Sequence, residues 1–373
     1  MKVLHVYRTY FPDTQGGLEE VIRQICLNTT AHNVENRIFT LSKTAQPPVI
    51  KNKEATIYRS KQSVEIASCG FSLAALQDFK QQVQWADIIH YHAPWPFADI
   101  LHLLFARKKP ALATYHSDIV RQKKLAVLYQ PLMHWYFSRL DKIIATSENY
   151  IKSSPVLIKY KKKTEAIAIG LDKNSYPKNN QQQLEKLKQC YGENFFFFIG
   201  VLRYYKGLRY LLQALEGTEF PVIIAGSGPE EQALKALAQR LNLKQVQFIG
   251  QVTDEEKMAL YQLSRAVVFP SSDRSEAYGV TLVEAAMTGK AMISTELQTG
   301  TSFVNLDGET GIVVEPKNVA QLKQAMARLY KNDALAVGMG RNAQQRFDQL
   351  LTADVMGEAY IAMYKKIMAQ RAL

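Results

Sequence analysis

Residues 266–295 read AVVFPSSDRSEAYGVTLVEAAMTGKAMIST, and the changes of pattern inside this stretch decide the fold. Residues 266–269 are a short apolar, β-branched run that ends at Pro270 and a Ser/Asp-rich segment, as a buried strand leaving into a polar loop does. Residues 280–287 have helical composition closed by Gly289, and an apolar run resumes after Lys290. Strand, loop, helix and strand form a unit that belongs to a parallel sheet covered by helices.

The helix begins at Gly279. A helix N-terminus offers unpaired N–H groups and a partial positive charge, so a diphosphate is expected against Gly279, Val280 and Thr281. Glu284 falls about 6 Å further along the axis at about 1.5 Å per residue. A carboxylate there would repel phosphate, so its expected partner is a neutral diol such as two ribose hydroxyls. Glu276, on the loop before the helix, is expected to face the sugar, with Tyr278 among the residues lining the nucleotide-sugar site. Two glutamates alone would read as solvated helix-surface charge; their neighbours argue otherwise.

Residues 195–215, FFFFIGVLRYYKGLRYLLQAL, repeat the pattern: an apolar run ending at Gly200, a basic loop with Arg203 and Lys206, then an amphipathic helix. Cations at the carboxyl end of a parallel strand suit a leaving diphosphate. Residues 222–230, VIIAGSGPE, add a strand running into Gly226 and Gly228, with Glu231 where a dinucleotide motif would need a third glycine. At the amino end, MKVLHVYRTYFPDTQGGLEEVIRQI predicts a strand over 2–6, a loop closing on Gly16 and Gly17, and a helix from Leu18 with Val21, Ile22 and Ile25 on one face. Residues 111–115 predict a strand that ends in His116, Ser117 and Asp118. His90, His92 and His116 lack a carboxylate or cysteine at a helical offset, so no metal site is expected.

Glu276, Glu284, Ala285, Gly289 and Lys290 resemble the signature of the retaining glycosyltransferases of family 4: a Glu, seven residues, a second Glu, then Ala and a Gly-Lys turn. The family usually has Gly-Phe-Gly where Ala277, Tyr278 and Gly279 stand, and Pro at Ala291. Lys206 with Gly207 is similar to the family's phosphate-binding Lys-Gly. The family's Arg follows the first Gly directly, where this chain has Val201, so that role falls to Arg203, two positions late. The resemblance implies that Gly226 and Gly228 lie beside the nucleotide base, that the Gly16–Gly17 loop faces donor phosphates and acceptor, and that His116, in a His-x-Asp motif, lies by the outer hydroxyls of the sugar. It implies a GT-B fold of two doubly wound, Rossmann-like α/β domains facing a cleft, and metal-independent chemistry. Residues 116–123 and 299–314 resemble bacterial mannosyltransferases of surface-polysaccharide and lipopolysaccharide O-antigen assembly, with GDP-mannose as first donor. UDP-sugar donors and a sugar-nucleotide 2-epimerase of the same architecture remain alternatives, as does a non-catalytic nucleotide-sugar sensor.

A chain of 373 residues exceeds the size of one core, so two domains are expected: residues 1–172, residues 173–354, and a final helix over 355–373 that crosses back to the first. Three scattered cysteines and the lack of a long apolar run suit a cytoplasmic protein. The charge is lopsided. Residues 1–175 hold 24 Lys plus Arg against 14 Asp plus Glu, a net of +10, whereas residues 176–373 hold 22 against 20. The excess clusters at residues 107–109, at Arg121, Lys123 and Lys124, and at residues 159–163, interleaved with Leu125, Leu128, Leu132, Trp135 and Phe137. A basic surface with such apolar neighbours suits peripheral binding to anionic lipid on the inner face of the membrane, next to a lipid-linked glycan acceptor, with a merely solubilising surface as the alternative. No nucleic-acid motif accompanies the charge.

Overall fold

The computed structural model describes residues 1–66, 69–119, 123–178 and 180–372. The chain forms two compact units, one of Met1–Gly170 with Ala353–Leu373 and one of Leu171–Thr352.

The first unit carries β1 (Lys2–Val6), β2 (Glu35–Ser42), β3 (Val49–Lys51), β4 (Thr56–Lys61), β5 (Val64–Ile66), β6 (Cys69–Phe71), β7 (Ile88–Ala93), β8 (Ala111–Tyr115), β9 (Lys142–Ala145) and β10 (Thr164–Ala166). Eight of these form one sheet in the order β10-β9-β8-β7-β1-β2-β4-β3. All its pairs are parallel except β3 with β4, and β5 pairs antiparallel with β6 in a separate two-stranded sheet. These antiparallel additions depart from the wholly parallel sheets expected. Their three-residue strands are too short to carry a period-2 signal. Helix Gly17–Thr30 buries Val21, Ile22, Ile25 and Cys26, one helical face. Helix Ala353–Ala372 packs against it in the same unit, burying Met356, Tyr360, Tyr364 and Ile367 at intervals of about one turn.

The second unit carries β11 (Phe196–Ile199), β12 (Val222–Ala225), β13 (Val246–Gly250), β14 (Ala266–Phe269), β15 (Ala291–Thr295) and β16 (Gly311–Val314). They form an all-parallel sheet in the order β13-β12-β11-β14-β15-β16. The connections run outward in opposite directions from β11 and β14. That reversal opens a crevice at the carboxyl ends of these two strands, where open α/β sheets take their ligands. Phe196, Phe198, Val222, Ile224, Ala266, Val268 and Ile293 anchor the core beneath it. In the first unit the same reversal falls between β1 and β7.

Candidate active site

In the second unit, the crevice after β11 and β14 collects the residues singled out on phosphate and sugar grounds. After β11 the chain makes a single 3-10 turn, Tyr204–Lys206, and enters helix Leu208–Ala214. After β14 it loops through Glu276 into helix Val280–Met287, whose N-cap is Gly279 at φ +88°, with no side chain capping the exposed N–H groups. Gly279 lacks room for a side chain as well as the backbone freedom for one: a Cβ there would lie 3.1 Å from the Phe269 ring. Lys206 sits over the other reach of that ring, its ammonium 4.7 Å from the centroid. Thr281 Oγ1 donates to the Ile199 carbonyl at 3.4 Å, which fastens the helix end to the last residue of β11.

The structure pairs Lys206 with Glu276, Nζ to Oε2 at 2.6 Å, with both side chains only 12% exposed. Ser271 Oγ donates to the same oxygen at 3.3 Å, and Thr299 Oγ1 donates to the Glu276 carbonyl at 2.9 Å. A cation and an anion are thus held side by side at an uncapped helix N-terminus. Arg203 is exposed, lies beside the Tyr205 hydroxyl and lines a surface depression with Tyr204, Glu230, Ser272 and Asp273. Tyr278 is buried, and its ring packs where a side chain on Gly300 would stand.

Glu284 lies deeper, 7% exposed, and already accepts three hydrogen bonds: from Tyr176 at 3.1 Å, Lys257 at 3.0 Å and Tyr261 at 2.9 Å. Burial alone would lower the Lys257 pKa, but the Glu284 and Asp254 carboxylates outweigh it and hold the ammonium above its ordinary value. A carboxylate has about four lone-pair sites, so an incoming diol would compete with these partners. Tyr176, Lys257 and Tyr261 escaped sequence reasoning. Only the i, i+4 spacing of Lys257 and Tyr261 on helix Asp254–Leu263 hinted that they share a face.

Gly226 and Gly228 have a packing reason of their own. A Cβ on Gly226 would stand 2.0 Å from the Gly200 carbonyl oxygen, and one on Gly228 would stand 2.5 Å from that of Leu202. Their bareness lets the β12 loop lie against the β11 loop, backbone on backbone. Lys290, of the Gly-Lys turn, donates to the Gln262 and Ser264 carbonyls at 2.8 Å each, and burial pushes its pKa down to about 8.

In the first unit, Gly16 and Gly17 are exposed at an uncapped helix start. Glu19 turns back there to accept from Thr9 at 2.9 Å and Thr14 at 2.6 Å. His116 is buried just past β8, and its Nε2 lies 3.0 Å from His92 Nδ1. His5, His90 and His92 bring ring nitrogens within 4.8 Å of one another, a grouping missed because His5 stands alone in its strand. All six of those nitrogens have protein hydrogen-bond partners.

The basic surface differs from expectation. Phe137 is core, 1% exposed, and cannot enter a lipid surface. Lys163 donates to the Leu140 carbonyl at 2.9 Å and Lys109 to that of Ala86 at 2.6 Å, so both tie down backbone. Arg107, Lys108, Lys159, Lys161 and Lys162 are exposed, and the exposed apolar side chains among these segments include Leu104, Val127, Leu128 and Ile158. Arg121 lies outside the described residues, as do the side chains of Lys123, Lys124 and Leu125. No described helix is long and apolar enough to cross a membrane.

Two α/β units, one presenting a Lys–Glu pair at a bare helix N-terminus in its switch-point crevice, define a glycosyltransferase of the GT-B fold. The relatives agree. Residues 15–167 match the model of glycosyltransferase family 4 and residues 179–346 that of glycosyl transferases group 1. The chain is 48% identical to the D-rhamnosyltransferase WbpZ of Pseudomonas aeruginosa over 95% of its length and 93% of that protein. It is 42% identical to the O-antigen chain mannosyltransferase C of Escherichia coli over 100% of both. Among solved structures, the sucrose-phosphate synthase of Thermosynechococcus elongatus shares the fold, with a TM-score of 0.81 over 99% of both chains at 19% identity. The protein belongs to the family 4 glycosyltransferases.

Proposed function

We propose that the protein is a retaining glycosyltransferase that moves mannose from GDP-mannose to a lipid-linked glycan of the O-antigen type, working peripherally at the inner face of the cytoplasmic membrane. The observation that carries this reading is the Lys206–Glu276 pair beside the Gly279 helix end. The similarity to one relative named for mannose and one for D-rhamnose, which is 6-deoxymannose, supports a manno-configured donor.

In this reading the donor diphosphate takes Lys206 from Glu276 and rests on the Val280 and Thr281 N–H groups, with Arg203 adding charge at the rim. Glu276, released, orients the sugar and faces the positive charge that develops at its anomeric carbon. The acceptor hydroxyl attacks that carbon from the side the diphosphate leaves. The bond from anomeric carbon to phosphate oxygen breaks, its electron pair departs with the diphosphate, and the hydroxyl proton passes to the departing oxygen. Fixed cations and helix N–H groups of this kind are commonly the largest catalytic contribution. We assign no metal to the step, because these groups carry the neutralising charge.

The test is transfer from GDP-mannose to a lipid-linked acceptor, with the anomeric configuration of the product read by NMR and a chelator arm alongside. An α-linked product, formed equally with chelator, is expected. A β-linked product would overturn retention, loss of activity with chelator the metal-free step, and preference for UDP-hexose the choice of donor. An altered hexose released without acceptor would point to the 2-epimerase.

A further inference from the structure

We propose that Asn36, His5 and His92 form a one-way hydrogen-bond relay that fixes His116 as its Nε2–H tautomer and leaves His116 Nδ1 as a bare acceptor. The four side chains run across four adjacent strands: Asn36 on β2, His5 on β1, His92 on β7, and His116 one residue past β8. The links measure 3.3 Å from His5 Nε2 to Asn36 Oδ1, 3.2 Å from His5 Nδ1 to His92 Nε2, and 3.0 Å from His92 Nδ1 to His116 Nε2. The rings stack along the row, His5 on His92 at 20° and His92 on His116 at 19°.

The direction follows from Asn36. Its Nδ2 lies 3.1 Å from the Cys26 carbonyl and 3.0 Å from each of the Thr29 and Thr30 hydroxyl oxygens. Those hydroxyls donate to the Ile25 and Glu54 carbonyls. Only an amide NH2 satisfies that surrounding, since the flipped amide would set its oxygen against the Cys26 carbonyl oxygen. Asn36 Oδ1 therefore accepts, and His5 Nε2 carries the hydrogen. A neutral imidazole has one donor and one acceptor, so His5 Nδ1 accepts from His92 Nε2–H. His92 Nδ1 in turn accepts from His116 Nε2–H. Burial pushes the His5 pKa to about 4 and that of His116 to about 3, and holds His92 well below the ordinary value, so the rings are neutral at neutral pH. His90 packs against these rings, its centroid 4.4 Å from that of His92, but makes its hydrogen bonds to Tyr364 and Thr114 rather than into the row.

No described group bonds His116 Nδ1. A fixed lone pair accepts a hydroxyl hydrogen and repels a phosphate oxygen, whereas the Nδ1–H tautomer would donate to either and would not discriminate. Resting on the reading of His116 as a sugar-side residue, the relay selects a sugar hydroxyl at that position. Asn36, His5 and His92 are positioning residues.

The experiment uses the full chain labelled with ¹⁵N-histidine. Long-range ¹H–¹⁵N spectra at neutral pH identify the protonated nitrogen of each ring, with peaks assigned through single His→Gln variants. Nε2–H is expected for His5, His92 and His116, and Nδ1–H on any of them overturns the relay. Asn36→Leu should mix the His116 tautomers; an unchanged His116 signal in a folded variant removes Asn36 as the anchor and overturns the proposal. His92→Phe should mix them too and lower kcat/KM about threefold to tenfold, the size of one neutral hydrogen bond, with no further loss in a His116→Ala background. His92→Gln, whose amide donates and accepts at once, should restore both signal and rate. Should any variant fail to fold, the wild-type spectrum decides. Expected tautomers with undiminished transfer by His116→Ala would keep the relay and refute the sugar-side role.

Discussion

The two sheets solve the same architectural problem with different interiors. In the second unit the central strands are apolar throughout, Phe196–Ile199, Val222–Ala225 and Ala266–Phe269, and polar chemistry begins only where the strands end. In the first unit it runs through the middle of the sheet: Asn36, His5, His90, His92 and Thr114 are all buried and all bonded to one another or to Tyr360 and Tyr364. All seven histidines of the chain lie in residues 1–170. A buried polar network is costly unless every member is satisfied, so its presence argues for a task that an apolar sheet could not perform. The second unit puts Lys206 and Glu276 at the rim, where they can change partners; the first fixes neutral groups in one arrangement.

The largest effect that would separate the two is at the rim. Lys206→Ala should lower turnover by about 10²-fold, the loss of a principal electrostatic donor, with the fold intact by circular dichroism. Turnover within a few-fold of wild type would mean that the Lys206–Glu276 pair serves only the loop.

The charged surface of the first unit should follow. Changing Lys161 and Lys162 to Ser leaves Lys163 to hold the Leu140 carbonyl. Each lysine near an anionic surface contributes about 1 kcal/mol, so the double variant should bind anionic vesicles roughly tenfold or more weakly at low salt. It should lose activity on a lipid-linked acceptor and keep it on a short soluble one. Vesicle binding equal to wild type would leave these residues as solvated surface.

A smaller effect is expected deeper in the second unit. Glu284→Gln replaces one acceptor oxygen by a donor and should weaken ribonucleotide binding by about 1 to 3 kcal/mol, with a 2′,3′-dideoxynucleotide losing nothing further. Equal weakening of both ligands would assign Glu284 to Lys257, Tyr176 and Tyr261 alone.

Legibility in the sequence follows the same division. The second unit announces itself because each βα unit is local: apolar run, glycine, charged loop and helix sit within about twenty residues, and the switch-point crevice brings such loops together by topology. Lys206 and Glu276 were each placed at phosphate and sugar, yet their pairing across 70 residues left no local trace. The relay of the first unit was hidden for the same reason. Asn36, His5 and His92 come from three separate strands and His116 from just past a fourth, and only the order β8-β7-β1-β2 makes them a row. The short antiparallel strands β3, β5 and β6 were unreadable because three residues carry no period.

The smallest effect is one of stability, and it tests whether the two interiors differ as described. Burial depresses the folded-state pKa of His5 and His102 to about 4 and of His116 to about 3, and lowers His90 and His92 well below the ordinary 6.5. Below pH 6.5 the unfolded chain takes up protons that the folded first unit refuses, so the unfolded state binds more protons and stability rises with pH. The contribution is complete above pH 6.5 and is lost progressively as the pH falls toward 3. Asp99 runs the other way: burial raises its pKa well above 3.8, so its cost to the fold is relieved in acid. Five histidines outweigh one aspartate, and the net effect between pH 7.5 and 5 should be a loss of several degrees in the first unit. The second unit has no histidine to titrate in that window. The three tryptophans, Trp85, Trp95 and Trp135, all belong to the first unit, so tryptophan fluorescence follows its unfolding alone while far-UV circular dichroism follows both. Melting curves at the two pH values should show the fluorescence midpoint moving down by more than the remaining dichroism transition. A fluorescence midpoint that holds still while the dichroism falls would show that the histidines are protonated at little cost in the folded sheet, and the neutral interior assigned to the first unit would then be wrong.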